Sequence, residues 1–154
     1  MEELNSKYIQ LVRGYKRLKY AAETYQDLVR KNAKQTCSKE SEENELIVHR
    51  DSVILRFNFS YDLTWKFFKV LLRDRLSIEV ANPRSTFQEC AKQSILTPEE
   101  AQVLLEMIRN RNEIAHVYDE ELADMVSKKI LEYNDFLQNL AKKLALILQE
   151  SKYL

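Results

Sequence analysis

Val53-Ile54-Leu55-Arg56-Phe57-Asn58-Phe59-Ser60-Tyr61-Asp62-Leu63-Thr64-Trp65-Lys66-Phe67-Phe68-Lys69-Val70-Leu71-Leu72 carries the strongest fold signal in the chain. Val53, Phe57, Tyr61, Thr64, Phe68 and Leu71 recur at spacings that place them on one face of a helix. Ile54, Leu55, Phe59, Leu63, Trp65, Phe67 and Leu72 fall on its other faces. The helix, expected from about Glu43 to Asp74, is therefore apolar around much of its girth. Such a helix is either central in its bundle or buried against a second chain. No helix of a small four-helix bundle is fully surrounded, so a subunit interface is the expectation. The apolar face is too broad for the narrow seam of a coiled coil.

On the N-terminal side, Leu4, Tyr8, Leu11, Tyr15, Leu18, Ala22, Tyr25 and Val29 form a second helical stripe. Gly14, the single glycine, interrupts it at a cost of about 1 kcal/mol relative to alanine. The polar stretch from Asn32 to Asn44 reads as a connection, with Ser41 the expected N-cap of the next helix. On the C-terminal side, Asn82-Pro83-Arg84-Ser85 is a helix start, and a short helix is expected through about Gln93. Thr97-Pro98-Glu99-Glu100 is a stronger start, with Glu100 placed to complete a capping box. The helix it opens should reach about Ala115, with Leu104, Leu105, Ile108, Asn112 and Ala115 on one side and Val103, Met107 and Ile114 on another. Asp119 can cap the last helix, whose stripe is Val126, Ile130, Tyr133, Leu137, Leu140, Leu144 and Ile147. The fold expected over residues 1–154 is a single all-α domain, an up-and-down four-helix bundle with one short extra helix.

Composition agrees. One glycine and two prolines are too few for the turns of a strand-rich domain. With 24 basic and 24 acidic residues the chain is not a globally basic nucleic-acid binder, which leaves local patches open. Residues 1–36 hold eight Lys/Arg against four Asp/Glu, so basic charge gathers in the N-terminal third. A solvated helix face is the simpler reading of that excess. Cys37 and Cys90 stand apart with no metal-ligand spacing, as expected of reduced thiols in a cytoplasmic protein. No signal peptide or membrane-length apolar run is visible, and no metal or cofactor is expected because phosphate loops and zinc motifs are absent.

The chemistry-bearing stretch is Arg109-Asn110-Arg111-Asn112-Glu113-Ile114-Ala115-His116-Val117-Tyr118-Asp119-Glu120. Asn112 and His116 lie one helical turn apart, so the amide can hold the imidazole, and Asn112 is expected on the core side. Arg111 and His116 are five residues apart, roughly 140° around an unbroken helix, and cannot face one another. If both serve one reaction, the chain bends after Ala115 or a two-fold partner supplies the missing group. The parts suit metal-independent RNA cleavage: the imidazole shuttles a proton near neutrality and the guanidinium grips phosphate. Spacing on its own leaves structural capping and catalysis both open.

Five pieces occur in order: Arg50-Asp51, Phe57-x-Phe59-x-Tyr61, Leu63-x-Trp65-Lys66, Pro83-Arg84 and Arg111-Asn112-x-x-x-His116-x-Tyr118-Asp119-Glu120. On these the run from about Arg50 to Leu148 resembles the nucleotidyltransferase substrate-binding protein family, a branch of the HEPN superfamily. The resemblance implies a bundle that forms a homodimer and partners a minimal nucleotidyltransferase, as a heterotetramer or larger assembly. HEPN relatives are ribonuclease toxins with an Arg-x4-6-His motif at the dimer interface, which makes Arg111 and His116 the implied catalytic pair. Asn112 and Arg109 would support RNA or nucleotide binding, and Tyr118 occupies the place of a tyrosine that the partner modifies with AMP. Ile114-Ala115 departs from the Thr-Ser-like pair common in the family and leaves substrate preference open. The alternative implied activity is a non-catalytic subunit that binds nucleotide or substrate for the partner enzyme.

Overall fold

Apolar spacing and end signals give helices wherever the sequence asks for them. The computed structural model describes residues 1–34, 39–114 and 119–150. These hold α1 (Glu2–Ala33), α2 (Glu40–Leu76), α3 (Pro83–Lys92), α4 (Pro98–Ile114) and α5 (Glu120–Glu150). The all-α bundle of four long helices and one short insert is the architecture expected. One core draws side chains from all five, including Leu11 and Leu18, Phe57 and Phe68, Phe87, Leu104 and Met107, and Ile130 and Leu137.

The helix ends follow local chemistry. Asn82 Oδ1 accepts from the Ser85 amide at 2.9 Å, and Thr97 and Glu100 exchange hydrogen bonds of 3.1 and 2.9 Å in a capping box. Asp119 accepts from the Glu121 amide at 2.9 Å and so starts α5 as expected. Ser41 does not cap α2: the helix already begins at Glu40, and Glu42 reaches back to the Lys39 amide at 3.4 Å. Three glutamates in that first turn favour the earlier start, because carboxylates stabilise the positive end of a helix. At its other end α2 runs past Asp74 to a left-handed Ser77 at φ 56°, whose amide donates to Arg73 O at 3.1 Å.

α2 is the central element. It packs on α1, α3 and α5, and its buried residues include Val53, Phe57, Tyr61, Phe67, Phe68 and Leu72. Edge-on contacts link Phe67 to Phe68 at 5.6 Å and Phe68 to Phe87 of α3 at 6.2 Å. Of the apolar residues on the other faces of α2, Phe67 and Leu72 are buried within the chain and Ile54, Leu63 and Trp65 are half-buried. Val48, Leu55 and Phe59 remain exposed on one stripe.

The α1–α2 seam is drawn close at Gly14. A Cβ there would stand 2.6 Å from Leu63 Cδ1. Next to it Tyr15 and Thr64 share a buried hydrogen bond, and Thr64 Oγ1 donates onward to Ser60 O at 2.6 Å. The Gly14 cost read from propensity is therefore offset by packing across this seam.

Candidate functional site

Arg111 comes to the inner edge of α4. The buried residues of that helix are Ala101, Leu104 and Met107, and the same face continues through half-buried Arg111 to Ile114. Asn112 is exposed, not on the core side as expected. The buried face takes Leu104 from one expected stripe and Met107 and Ile114 from the other, and packing against α5 and α3 carries Arg111 rather than Asn112 inward. Arg109 is exposed. His116 and Tyr118, with Ala115 and Val117, lie outside the described residues, so the bend and the Asn112–His116 pairing lie there too.

The Arg111 guanidinium sits over the ring of buried Tyr61, 5.9 Å from its centroid. Burial pushes the Tyr61 phenol up to about 12, against a smaller downward pull from the Arg111 charge. Among the described residues Arg111 has no carboxylate partner. A cation held by an aromatic face and left without a counter-ion can take a phosphate oxygen.

Beside it, a polar group that the sequence did not single out joins α4 to α5. The Asn110 amide donates to Tyr133 OH at 2.6 Å, and the Tyr133 ring stacks on Phe57 at 5.6 Å. Burial and the neighbouring Glu106 carboxylate raise the Tyr133 phenol well above its ordinary range. Lys129 Nζ lies 3.4 Å from Glu106 and over the same ring.

Arg50 is the second missed residue, although it is part of a quoted motif. It is 5% exposed and contacts three carboxylates: Asp51 at 2.9 Å, Glu120 at 2.5 Å and Asp124 at 3.1 Å. Burial opposes its charge, but hydrogen bonds to Glu120, Asp51 and Asp124 more than offset this and raise its pKa. The cluster ties the first turns of α5 to α2, bridging 70 residues of chain at Glu120 and 74 at Asp124. Arg50, Ile54, Ile114 and Asp119 line one small cavity, so the tie brackets the departure and return of the segment that bears His116. Only the 3.6-residue position of Arg50 among apolar neighbours could have hinted at its burial.

A profile of the family described as "Nucleotidyltransferase substrate binding protein like" matches residues 6–146. The chain belongs to this family. The family match thus extends into α1, beyond the run carried by the motifs. No curated protein sequence matches the chain. Among solved structures, a Thermus thermophilus protein is similar at 24% identity and TM-score 0.60, covering 82% of this chain and 98% of its own. A tri-AMPylated Shewanella oneidensis HEPN toxin in complex with MNT antitoxin is similar at 17% identity and TM-score 0.67, covering 93% and 96%. The toxin–antitoxin complex of an MntA–HpeT mutant contains a chain similar at 16% identity and TM-score 0.70, covering 95% and 99%. The family member described here therefore has the all-helical fold of HEPN toxins. None of its described helices is long and apolar enough to cross a membrane.

Proposed function

We infer that this chain is the HEPN-type subunit of a two-protein system with a minimal nucleotidyltransferase, and that it cuts RNA without a metal ion. The observation that carries this reading is Arg111, half-buried over Tyr61, without a carboxylate partner among the described residues and five places before His116. The solved toxins of the same fold, complexed with MNT or MntA partners, support the pairing. In the reaction, His116 accepts the 2′-hydroxyl proton and the 2′-oxygen attacks phosphorus. The 5′-oxygen leaves with a proton from imidazolium, giving a cyclic phosphate and a 5′-hydroxyl. Arg111 grips the non-bridging oxygens as charge builds, Arg109 adds a second cation, and exposed Asn112 orients His116. A homodimer supplies both halves of the motif to one RNA strand. Incubation of the purified protein with RNA in EDTA tests the claim. Cleavage that is lost in His116→Ala is expected; no cleavage by wild type, or equal cleavage by the variant, overturns it.

Tyr118 is the proposed site at which the partner attaches AMP, placing phosphate charge beside the imidazole. The tri-AMPylated state of the Shewanella toxin supports a modification of this kind. Intact mass after incubation with partner and ATP should rise by one or more AMP units. No increase, or the same increase in Tyr118→Phe, removes the proposal.

A second reading is favoured by the family's own description: a non-catalytic subunit that binds nucleotide for the partner enzyme. It requires complex formation and ligand binding without RNA turnover. Isothermal titration with and without the nucleotidyltransferase separates it from the ribonuclease.

A further inference from the structure

Three of the eight basic residues of the N-terminal third, Arg13, Lys16 and Arg17, gather in one place with two from α2. Arg13 and Arg17 of α1 face Arg56 and Lys66 of α2 across a groove of about 490 Å³ whose apolar lining includes Phe59 and Leu63. Gly14 forms part of its wall, and a Cβ there would crowd Leu63. An adjoining hollow adds Lys16, Tyr20 and His49 and shares Arg17 and Arg56, so the two are continuous. Asp62 is the one carboxylate among the lining residues of the pair. Five Lys/Arg against one acid give a local charge of about +4 on a chain whose formal net charge is zero.

These cations do not hold the fold together. Among the described residues none of Arg13, Lys16, Arg17, Arg56 and Lys66 pairs with a carboxylate, unlike Arg50 and Arg73, which each hold two or more. Two exposed aromatic rings stand among them: Tyr20 at 74% and Phe59 at 47%. The Arg56 guanidinium lies 6.0 Å from the Phe59 centroid. Arg56 and Lys66 are ten residues apart on α2, about 15 Å along the helix. A line of unpaired cations interleaved with exposed rings fits a flexible polyanion that carries flat bases. An acidic protein surface has no use for the rings, and a membrane calls for a projecting face rather than a groove.

The geometry points to the α1–α2 groove as a binding track for single-stranded RNA, separate from Arg111. Leu63 and Tyr61 project from opposite sides of α2, so the track lies across that helix from the Arg111–Tyr61 contact. It takes its ligand class from the ribonuclease reading and adds a place where the strand is held outside the reacting site. Cations along the track neutralise phosphates, and Tyr20 and Phe59 offer faces for bases.

Fluorescence anisotropy of a labelled single-stranded RNA oligonucleotide in EDTA tests the track in the His116→Ala full-length chain. Binding is then read without cleavage, so failure of the ribonuclease reading and failure of the track are separate results. The triple variant Arg13→Gln/Arg17→Gln/Arg56→Gln should bind at least tenfold more weakly. Its log-affinity against log-salt slope should be shallower by about 2, near 0.7 per lost phosphate contact. Phe59→Ala should lose about fivefold or more through stacking. A control triple on exposed sites elsewhere, Lys31→Gln/Lys128→Gln/Lys142→Gln, should bind within about twofold of the parent. Circular dichroism melting identifies any variant that has lost its fold, and Arg→Lys at the same three positions should restore most of the affinity. No binding by the parent, equal binding by the groove triple, or an equal loss in the control triple overturns the track. So does a groove triple that keeps RNA affinity and loses only its association with the nucleotidyltransferase.

Discussion

Arg50 and Arg111 serve opposite ends of the same small region. Arg50 is buried on α2 and surrounded by Asp51, Glu120 and Asp124, whereas Arg111 is half-buried on α4 and lies over the face of Tyr61. Both belong to motifs visible in the sequence, yet their surroundings separate structure from chemistry. A guanidinium whose donors are occupied holds elements together and has little left for a ligand. A guanidinium placed over a ring, with its donors free of carboxylates, stays charged and open to phosphate. The proposed ribonuclease therefore puts activity on Arg111, and the packing puts stability on Arg50.

The largest effect should come from Arg111. Arg111→Ala is expected to lower RNA cleavage by about 10²–10³-fold, the scale of removing one transition-state charge stabiliser, with little change in melting temperature. An activity loss that tracks unfolding, or a loss no larger than that of Arg50→Met at equal folded fraction, would erase the contrast between the two arginines.

Arg50→Ala should act on stability. Breaking a buried ion pair costs about 3–5 kcal/mol, but the partner carboxylates are 59–68% exposed and return readily to water. A loss of about 1–3 kcal/mol in urea unfolding is the discounted expectation, and Arg50→Met should recover part of it by filling the same volume. An unchanged unfolding midpoint would mean that the cluster does not hold α5 to α2.

Alkaline titration sharpens the Arg111 side further. The Tyr61 phenol is raised from 10.0 to about 12 and the buried Cys90 thiol from 9.0 to about 12, both chiefly by burial. The unfolded chain releases these protons first, so their contribution is complete below about pH 9 and is lost as pH rises toward 12. Stability should accordingly fall from about pH 9 to 12. Arg111→Ala should move the tyrosinate transition higher still, because the guanidinium pulls it down. Arg50→Met should leave it in place. Ultraviolet tyrosinate absorbance of wild type against Tyr61→Phe reads the group directly.

The smallest effect concerns the α1–α2 seam. Gly14→Ala gains about 1 kcal/mol of helix propensity and meets Leu63 Cδ1 at 2.6 Å. Because half-buried Leu63 can turn away, the net change should stay within about 1 kcal/mol. A double-mutant cycle with Leu63→Ala should give a coupling of about 0.5–1 kcal/mol. Additive behaviour would show that the close approach at Gly14 carries no energy.

Much of the fold was legible because its signals are local. The stripe of α5, that of α1 as far as Tyr25, the Asn82 and Thr97 starts and the Asp119 cap each depend on residues within a few turns and were found where expected. Val29, at the end of the α1 stripe, is exposed instead. Asn112 was placed on the wrong side because the buried face of α4 draws on both of its expected stripes, which spacing does not reveal. The part of the α2 girth that turns inward could not be told from spacing either, because it takes Tyr8 of α1 to cover Phe67. The basic excess near the N-terminus was visible as a count. The gathering of part of it into a groove needed Arg56 and Lys66 from another helix.

The class of fold, the helices with most of their ends, and the stretch richest in chemistry-bearing side chains are all written along the chain. Helical periodicity, capping and charge at helix ends act over one to four residues, so they can be read without a partner segment. Which cations are satisfied and which are free emerged only on packing. Arg50 meets Glu120 and Asp124 from 70 and 74 residues away, while Arg111, Arg13, Arg17 and Arg56 meet no carboxylate among the described residues. Pairing of charge is a property of distance in space, and only the packed bundle sets those distances.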